Sequence, residues 1–275
     1  MLTTRFALLA LGATLMMSCA ALSGGGGGST QDSAHDWFEG GQPDDKLAVI
    51  SLSLDAFTPT TTPMREVPPH LRAALGDLLA QTEKHLNTRF KVVPATSFVA
   101  TPEYRKHSQG QAWSETYVPE VAGRDMVAFA HDASQQEGAY LKDGTAQKVC
   151  EALGVKLLAV VRVKWSLVDL KDSLFEARSS GGASASIAVH RDCAQSEVWV
   201  TIYRRNGTKF LHETRALTSS TCKRADRSDQ KTVAPAGARA AELATQAEDP
   251  KWTAAFVDAS AEGVEAIVKT VKKWR

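Results

Sequence analysis

Seven histidines and four cysteines are the residues of this 275-residue chain most able to do chemistry, and their spacing limits what that chemistry is. The histidines stand at 35, 70, 85, 107, 131, 190 and 212, with no His-x-His or His-x-x-x-His pair, and no Cys-x-x-Cys occurs. A metal site would need ligands converging from distant positions, so neither a metal nor a cofactor is predicted. His190-Arg191-Asp192 repeats three letters of a kinase catalytic loop, but the Gly-rich loop, strand lysine and later metal-binding Asp are missing. The triplet reads as a strand end. His131-Asp132 is spaced to orient an imidazole, yet no Gly-x-Ser-x-Gly elbow accompanies it, and both read as solvated residues. The catalytic alternative is a hydrolase whose site is built from scattered residues such as His107, His131, His190 and neighbouring Asp side chains. The main reading is a protein that is not an enzyme.

The elements that would position these residues centre on Glu151 to Asp169. A helix face of Ala146, Val149, Cys150 and Leu153 ends at Gly154, which supplies the left-handed stop. Val155 to Val161 is almost wholly apolar and predicts a strand covered on both faces. Val163, Trp165 and Leu167 then alternate with polar residues, so the second half is covered on one face only. That leaves Arg162 and Lys164 turned to solvent or a partner. Trp113 and Tyr117, aromatic bodies with polar tips among polar residues, join them as a candidate partner surface, whereas Trp165 reads as sheet face under a helix.

Lys46 to Leu54 repeats the same pattern and predicts the first central strand. Pro68-Pro69 opens a helix whose apolar face is Leu71, Ala74, Leu75, Leu78, Leu79 and Leu86, followed by a short strand ended by Pro94. Residues 95–140 read as irregular with a helix or two. After the central strand, Ala183 to Val189 alternates, and Val198–Tyr203 and Lys209–Leu217 flank Asn206-Gly207, a strong hairpin signal. Asp249-Pro250 caps a last helix with a face through Trp252, Phe256, Gly263 and Ile267. The fold class is α+β, three-layer-like: a mixed sheet with antiparallel hairpins in the C-terminal half, flanked by helices that include a long C-terminal one.

Before this domain the chain changes character. Arg5 precedes an apolar segment from Phe6 to Met17, too short to span as a stable helix and typical of a secretory signal. Leu15-Met16-Met17-Ser18-Cys19 resembles a bacterial lipobox, with Met16 where Leu is usual. The resemblance implies cleavage after residue 18 and lipid on Cys19. Ala20 in place of Asp implies the periplasmic leaflet of an outer membrane. Several acyl chains at about 0.8 kcal/mol per buried methylene would make such an anchor effectively permanent. Ser23 to Thr30 contains five consecutive glycines, with no Lys-Ser or Lys-Thr after them to make a phosphate loop. Residues 1–18 are thus a signal peptide, 19–45 a flexible Gly-rich acidic tether, and 46–275 a single periplasmic domain.

Removing the leader lowers Lys plus Arg from 32 to 31, equal to Asp plus Glu, so a nucleic-acid partner is not expected. With Cys19 lipidated, Cys150 sits on an apolar helix face and reads as a buried free thiol. A two-residue loop at 206–207 would set positions summing to 413 opposite each other, placing Cys193 two residues short of Cys222. A small bulge would let those two pair, contributing about 3 kcal/mol by loop entropy.

The element order over Lys46–Leu54, Leu71–Val93 and Ala146–Trp274 resembles the periplasmic α/β lipoproteins related to the curli-secretion lipoprotein, the TolB amino-terminal domain and the activators of penicillin-binding proteins. Ala152-Leu153-Gly154-Val155-Lys156 stands where that group often has Leu-Gly-Ala-Asp. The resemblance implies no catalytic residues and a role in binding envelope proteins. The expected protein is an outer-membrane-anchored, non-catalytic adaptor or assembly component with the membrane and an envelope protein as partners. A homo-oligomeric secretion-pore subunit is the further alternative. Trp199, Tyr203 and Phe210 do not form the two aromatic girdles of a membrane barrel, so a soluble sheet is preferred.

Overall fold

A computed structural model describes the backbone of residues 46–55, 69–108, 116–129, 141, 144–178, 184–225 and 242–271; the side chains of 108, 171–178, 184–190, 224 and 225 lie outside that description. The predicted first strand is β1 (Lys46–Asp55), buried without a gap from Leu47 to Leu54. α1 (Pro69–Leu86) follows and buries all six predicted positions together with Thr82. β2 (Lys91–Val93) lies parallel to β1.

The stretch that sequence left irregular holds one 3₁₀ turn at Ala95–Ser97, α2 (Pro102–Ser108), and three two-residue strands: β3 (Thr116–Tyr117), β4 (Glu120–Val121) and β5 (Arg124–Asp125). α3 (Thr145–Leu153) ends as expected at Gly154, whose φ of 63° is left-handed and whose N–H reaches the Cys150 and Glu151 carbonyls. β6 (Leu157–Arg178) and β7 (Ser184–Arg204) form a long antiparallel pair, β8 (Lys209–Ala225) joins β7, and α4 (Pro250–Thr270) closes the described chain. Asp249 caps α4 by accepting from the Lys251 N–H at 2.9 Å.

The main sheet has the order β2-β1-β6-β7-β8, with β3 added to β1. β1 lies parallel to both β2 and β6, and the remaining pairs are antiparallel. The chain crosses from β1 to β2 in one direction and from β2 back past β1 to β6 in the other. Right-handed crossovers therefore set α1 and α3 on opposite faces. In agreement, α1 packs with α4, while α3 packs with α2. This is the predicted mixed sheet with helical cover.

The antiparallel half departs from expectation at its loop and meets it at the cysteines. Arg204 N–H bonds the Thr208 carbonyl at 2.8 Å and Gly207 takes a φ of 85°, so the loop holds three residues, Arg205 to Gly207, instead of two. A one-residue irregularity at Ile202/Tyr203 restores the predicted sum, since Ile202 faces Leu211 and Gln195 faces Thr218. A second irregularity adds two residues to β8, and Cys193 then stands opposite Cys222. The two are joined, with their Cα atoms 4.0 Å apart.

Candidate functional site

The predicted partner residues separate once they are placed. Trp113 and the lipidation candidate Cys19 lie outside the described residues. Tyr117 corrects the reading of an exposed aromatic: it pairs with Leu54 across β1 and β3 and keeps 6% of its surface exposed. Arg162 is corrected too. Its Nε and one terminal nitrogen donate to the two Asp55 carboxylate oxygens at 2.7 and 2.6 Å, and its guanidinium sits 5.0 Å above the Trp199 ring. Only 18% of the side chain is exposed, because a bidentate acid and an aromatic face satisfy a planar cation better than water on one side does. Of the three partner candidates that are described, Lys164 alone has an exposed side chain.

Lys164 belongs to a face that sequence identified only as polar. Across the register it stands opposite Glu197, and beside it Ser166 Oγ donates to Gln195 Oε1 at 3.2 Å while Gln195 Nε2 donates to Thr218 Oγ1 at 3.3 Å. These side chains span β6, β7 and β8 in one polar row. The opposite face of the same strands is sealed by α4. Trp165 stacks on Phe256 with ring centroids 4.9 Å apart and donates its indole N–H to Ser260 Oγ at 3.0 Å. Ser196 and Ser260 hydroxyls meet at 2.7 Å, and Ser260 donates to the Phe256 carbonyl. Gly263 permits this contact, since a Cβ there would stand 3.0 Å from a Val198 methyl.

β1 pairs with β6 only as far as Val163, and from Lys164 to Arg178 the strand partner of β6 among the described residues is β7.

A second surface lies between α1 and α4. The helices run parallel, with His70 and Pro250 at one end of a groove and His85 beside Glu265 further along. The groove encloses about 550 Å³. Exposed Ala73, Ala80 and Ala254 leave it open, and Asp77, Asp258 and Glu248 stand on it. The only available signal was a set of alanines on the otherwise polar side of α1, and half of the groove comes from a helix far away in the chain.

Elsewhere titratable groups serve the fold. Tyr104 is fully buried, and burial raises its hydroxyl well above the ordinary tyrosine value. It therefore remains a donor, to the Ile50 carbonyl at 2.7 Å, while accepting from the Val127 N–H. The Cys150 thiol is pushed up to about 12 by burial, which keeps it inert. Of the three histidines in the hydrolase alternative, only His107 has a described side chain, half-buried on α2. Among the described residues no group of three or more His, Cys, Asp or Glu is placed to hold a metal, and no helix is long and apolar enough to cross a membrane.

No protein-family model and no curated protein matches the chain. Among solved structures it is similar to the crystal structure of lipoprotein GNA1162 from Neisseria meningitidis, at 9% identity and a TM-score of 0.29, over 74% of this chain and 98% of that one.

Proposed function

We propose that this protein is a lipid-anchored lipoprotein of the outer membrane, facing the periplasm, that acts as a non-catalytic adaptor in a cell-envelope complex. Support for the anchor comes from Leu15 to Cys19 and the Gly-rich run behind it. The observation that carries the adaptor role is the polar row of Lys164, Ser166, Gln195 and Thr218, which spans β6, β7 and β8 on the face turned away from α4. Hydrogen-bonding and charged side chains set in such a row select a partner by polar complementarity.

The experiment is a pull-down from solubilised envelopes. The wild-type protein recovers a partner, Cys19→Ala loses it, and Ser166→Pro in the polar row weakens it by about tenfold. Recovery of nothing above the Cys19→Ala control overturns the adaptor reading.

One observation favours a second reading, a subunit of an oligomeric secretion pore. Among the described residues the terminal strands of the main sheet are β2 on one flank and β8 on the other. Two unlike edges suit head-to-tail pairing of copies into a ring. β6 and β7, at 22 and 21 residues, also exceed the roughly 9–11 residues a membrane strand needs. Size exclusion in detergent separates the readings: a ring elutes as a multiple of the chain, an adaptor as one copy.

A further inference from the structure

We propose that the groove between α1 and α4 is a docking site for a basic amphipathic helix of a partner protein. This is a second surface, and it does not rest on the polar row of β6, β7 and β8.

The floor of the groove is apolar and shallow-walled by composition. Ala74, Thr253 and Val257 are buried beneath it, and the exposed positions that would normally carry long polar side chains are Ala73, Ala80 and Ala254. Lysine or glutamate stems at those three positions would cover the floor. Alanine leaves it uncovered and lets another backbone come close, as ridges of a third helix set between two parallel ones require. The dimensions also fit. Ala73 and Ala80 are seven residues apart, about 10 Å along α1, and His70 to Gln81 extends the lining to about 16 Å, or three helical turns. That is the length over which one apolar face at i, i+3, i+4 and i+7 makes its contacts.

Charge selects the occupant. Asp77, Asp258 and Glu248 are exposed on the groove, and among the described residues that line it there is no Lys or Arg and His70 is the one potential cation. A helix with apolar residues on one face and Lys or Arg flanking them matches both the floor and the rim. An acidic helix meets three carboxylates, and an anionic lipid surface is repelled in the same way. Because the carboxylates are exposed, their effect is one of steering and selection and weakens with salt.

The probe is a fluorescein-labelled synthetic helix of about 14 residues, with Leu at the contact spacing and Lys elsewhere, titrated against the protein and followed by anisotropy. A counterpart with Glu for every Lys serves as its opposite. The basic peptide binds and the acidic one does not. Asp77→Asn with Asp258→Asn weakens the basic peptide by about tenfold, high salt does the same, and Ala80→Trp, which fills the groove, abolishes binding. Both variants change exposed residues, and melting within about 2 °C of wild type shows that the fold is kept. Ser166→Pro, aimed at β6, leaves peptide affinity unchanged, so failure here and failure of the adaptor reading are told apart. Equal binding of both peptides, no binding by the basic one, or affinity unmoved by the Asp pair and by Ala80→Trp overturns the proposal.

Discussion

The sheet contains two regions that satisfy the same physical demand in different ways. Where β1 meets β6, both faces are under other chain, and the polar groups of the strands are taken up by what covers them. Ser51 Oγ accepts from the Phe129 N–H at 3.2 Å, and Tyr104 caps the Ile50 carbonyl where the β1–β6 register slips. Where β6, β7 and β8 run on together, one face is sealed by α4 and the other carries a polar row exchanging hydrogen bonds across strands. The first region uses its polar groups for cohesion, and the second carries its polar row on a face that α4 does not cover.

The largest expected effect tests whether the two regions are separable. Replacing both Cys193 and Cys222 by Ala removes a cross-link spanning 29 residues, at a cost of about 3–4 kcal/mol by loop entropy. Hydrogen exchange should quicken in β7 and β8 while the amides of β1 keep their protection; equal loss in β1 would make the regions one cooperative unit. Gly263→Leu drives a side chain into Val198 and lifts α4 from β7, costing about 3 kcal/mol, read as a fall in denaturation midpoint. Tyr104→Phe probes the other region. It leaves the Ile50 carbonyl and the Val127 N–H without their hydroxyl, for a loss of about 2 kcal/mol, with the peptide-binding groove unaffected.

The smallest effect is a pH dependence in α1. Burial raises Glu83 above its usual 4.5, against the lowering influence of the Ala95 N–H it accepts at 2.7 Å. Between 4.5 and the raised folded value the folded state holds more proton than the unfolded one, so this group's contribution is full below 4.5 and is lost as pH rises through the folded value. Glu83→Gln keeps an acceptor and removes the charge. Its melting temperature at neutral pH should equal or slightly exceed that of wild type, and the slope across the acid window should flatten. An unchanged slope would show that the carboxylate is solvated.

How much of this was legible follows from the range of each signal. Gly154, Asp249-Pro250 and the apolar runs of β1 and β6 are local instructions, and the structure obeys them. The sum of 413 was readable as well, because the three-residue loop and the irregularity beside it cancel. The continuation of β6 through Lys171 and Asp172 was not, since charged residues interrupt the alternation while cross-strand pairing with β7 persists. Nor was Tyr104, a lone aromatic between Thr101 and Arg105 that becomes a fully buried hydrogen-bond centre only when β1 and Val127 arrive from elsewhere. Arg162 was placed on the correct strand, but its distant partner Asp55 turned it inward. The α1–α4 groove joins residues more than 160 positions apart, and no local pattern encodes it.

The two-residue excess in β8 gives the Cys193–Cys222 bond a further meaning. If β8 paired with β7 at a constant sum of 413, Cys193 would face Ser220, and Cys222 would lie a diagonal step away, about 7 Å, too far to bridge without backbone movement. The sulfurs come within bonding distance only after residues 219–221 have looped opposite Ala194. Oxidation thus works as a gauge of alignment: a chain that acquires the bond carries a covalent record that its last two strands have been laid down in the correct frame.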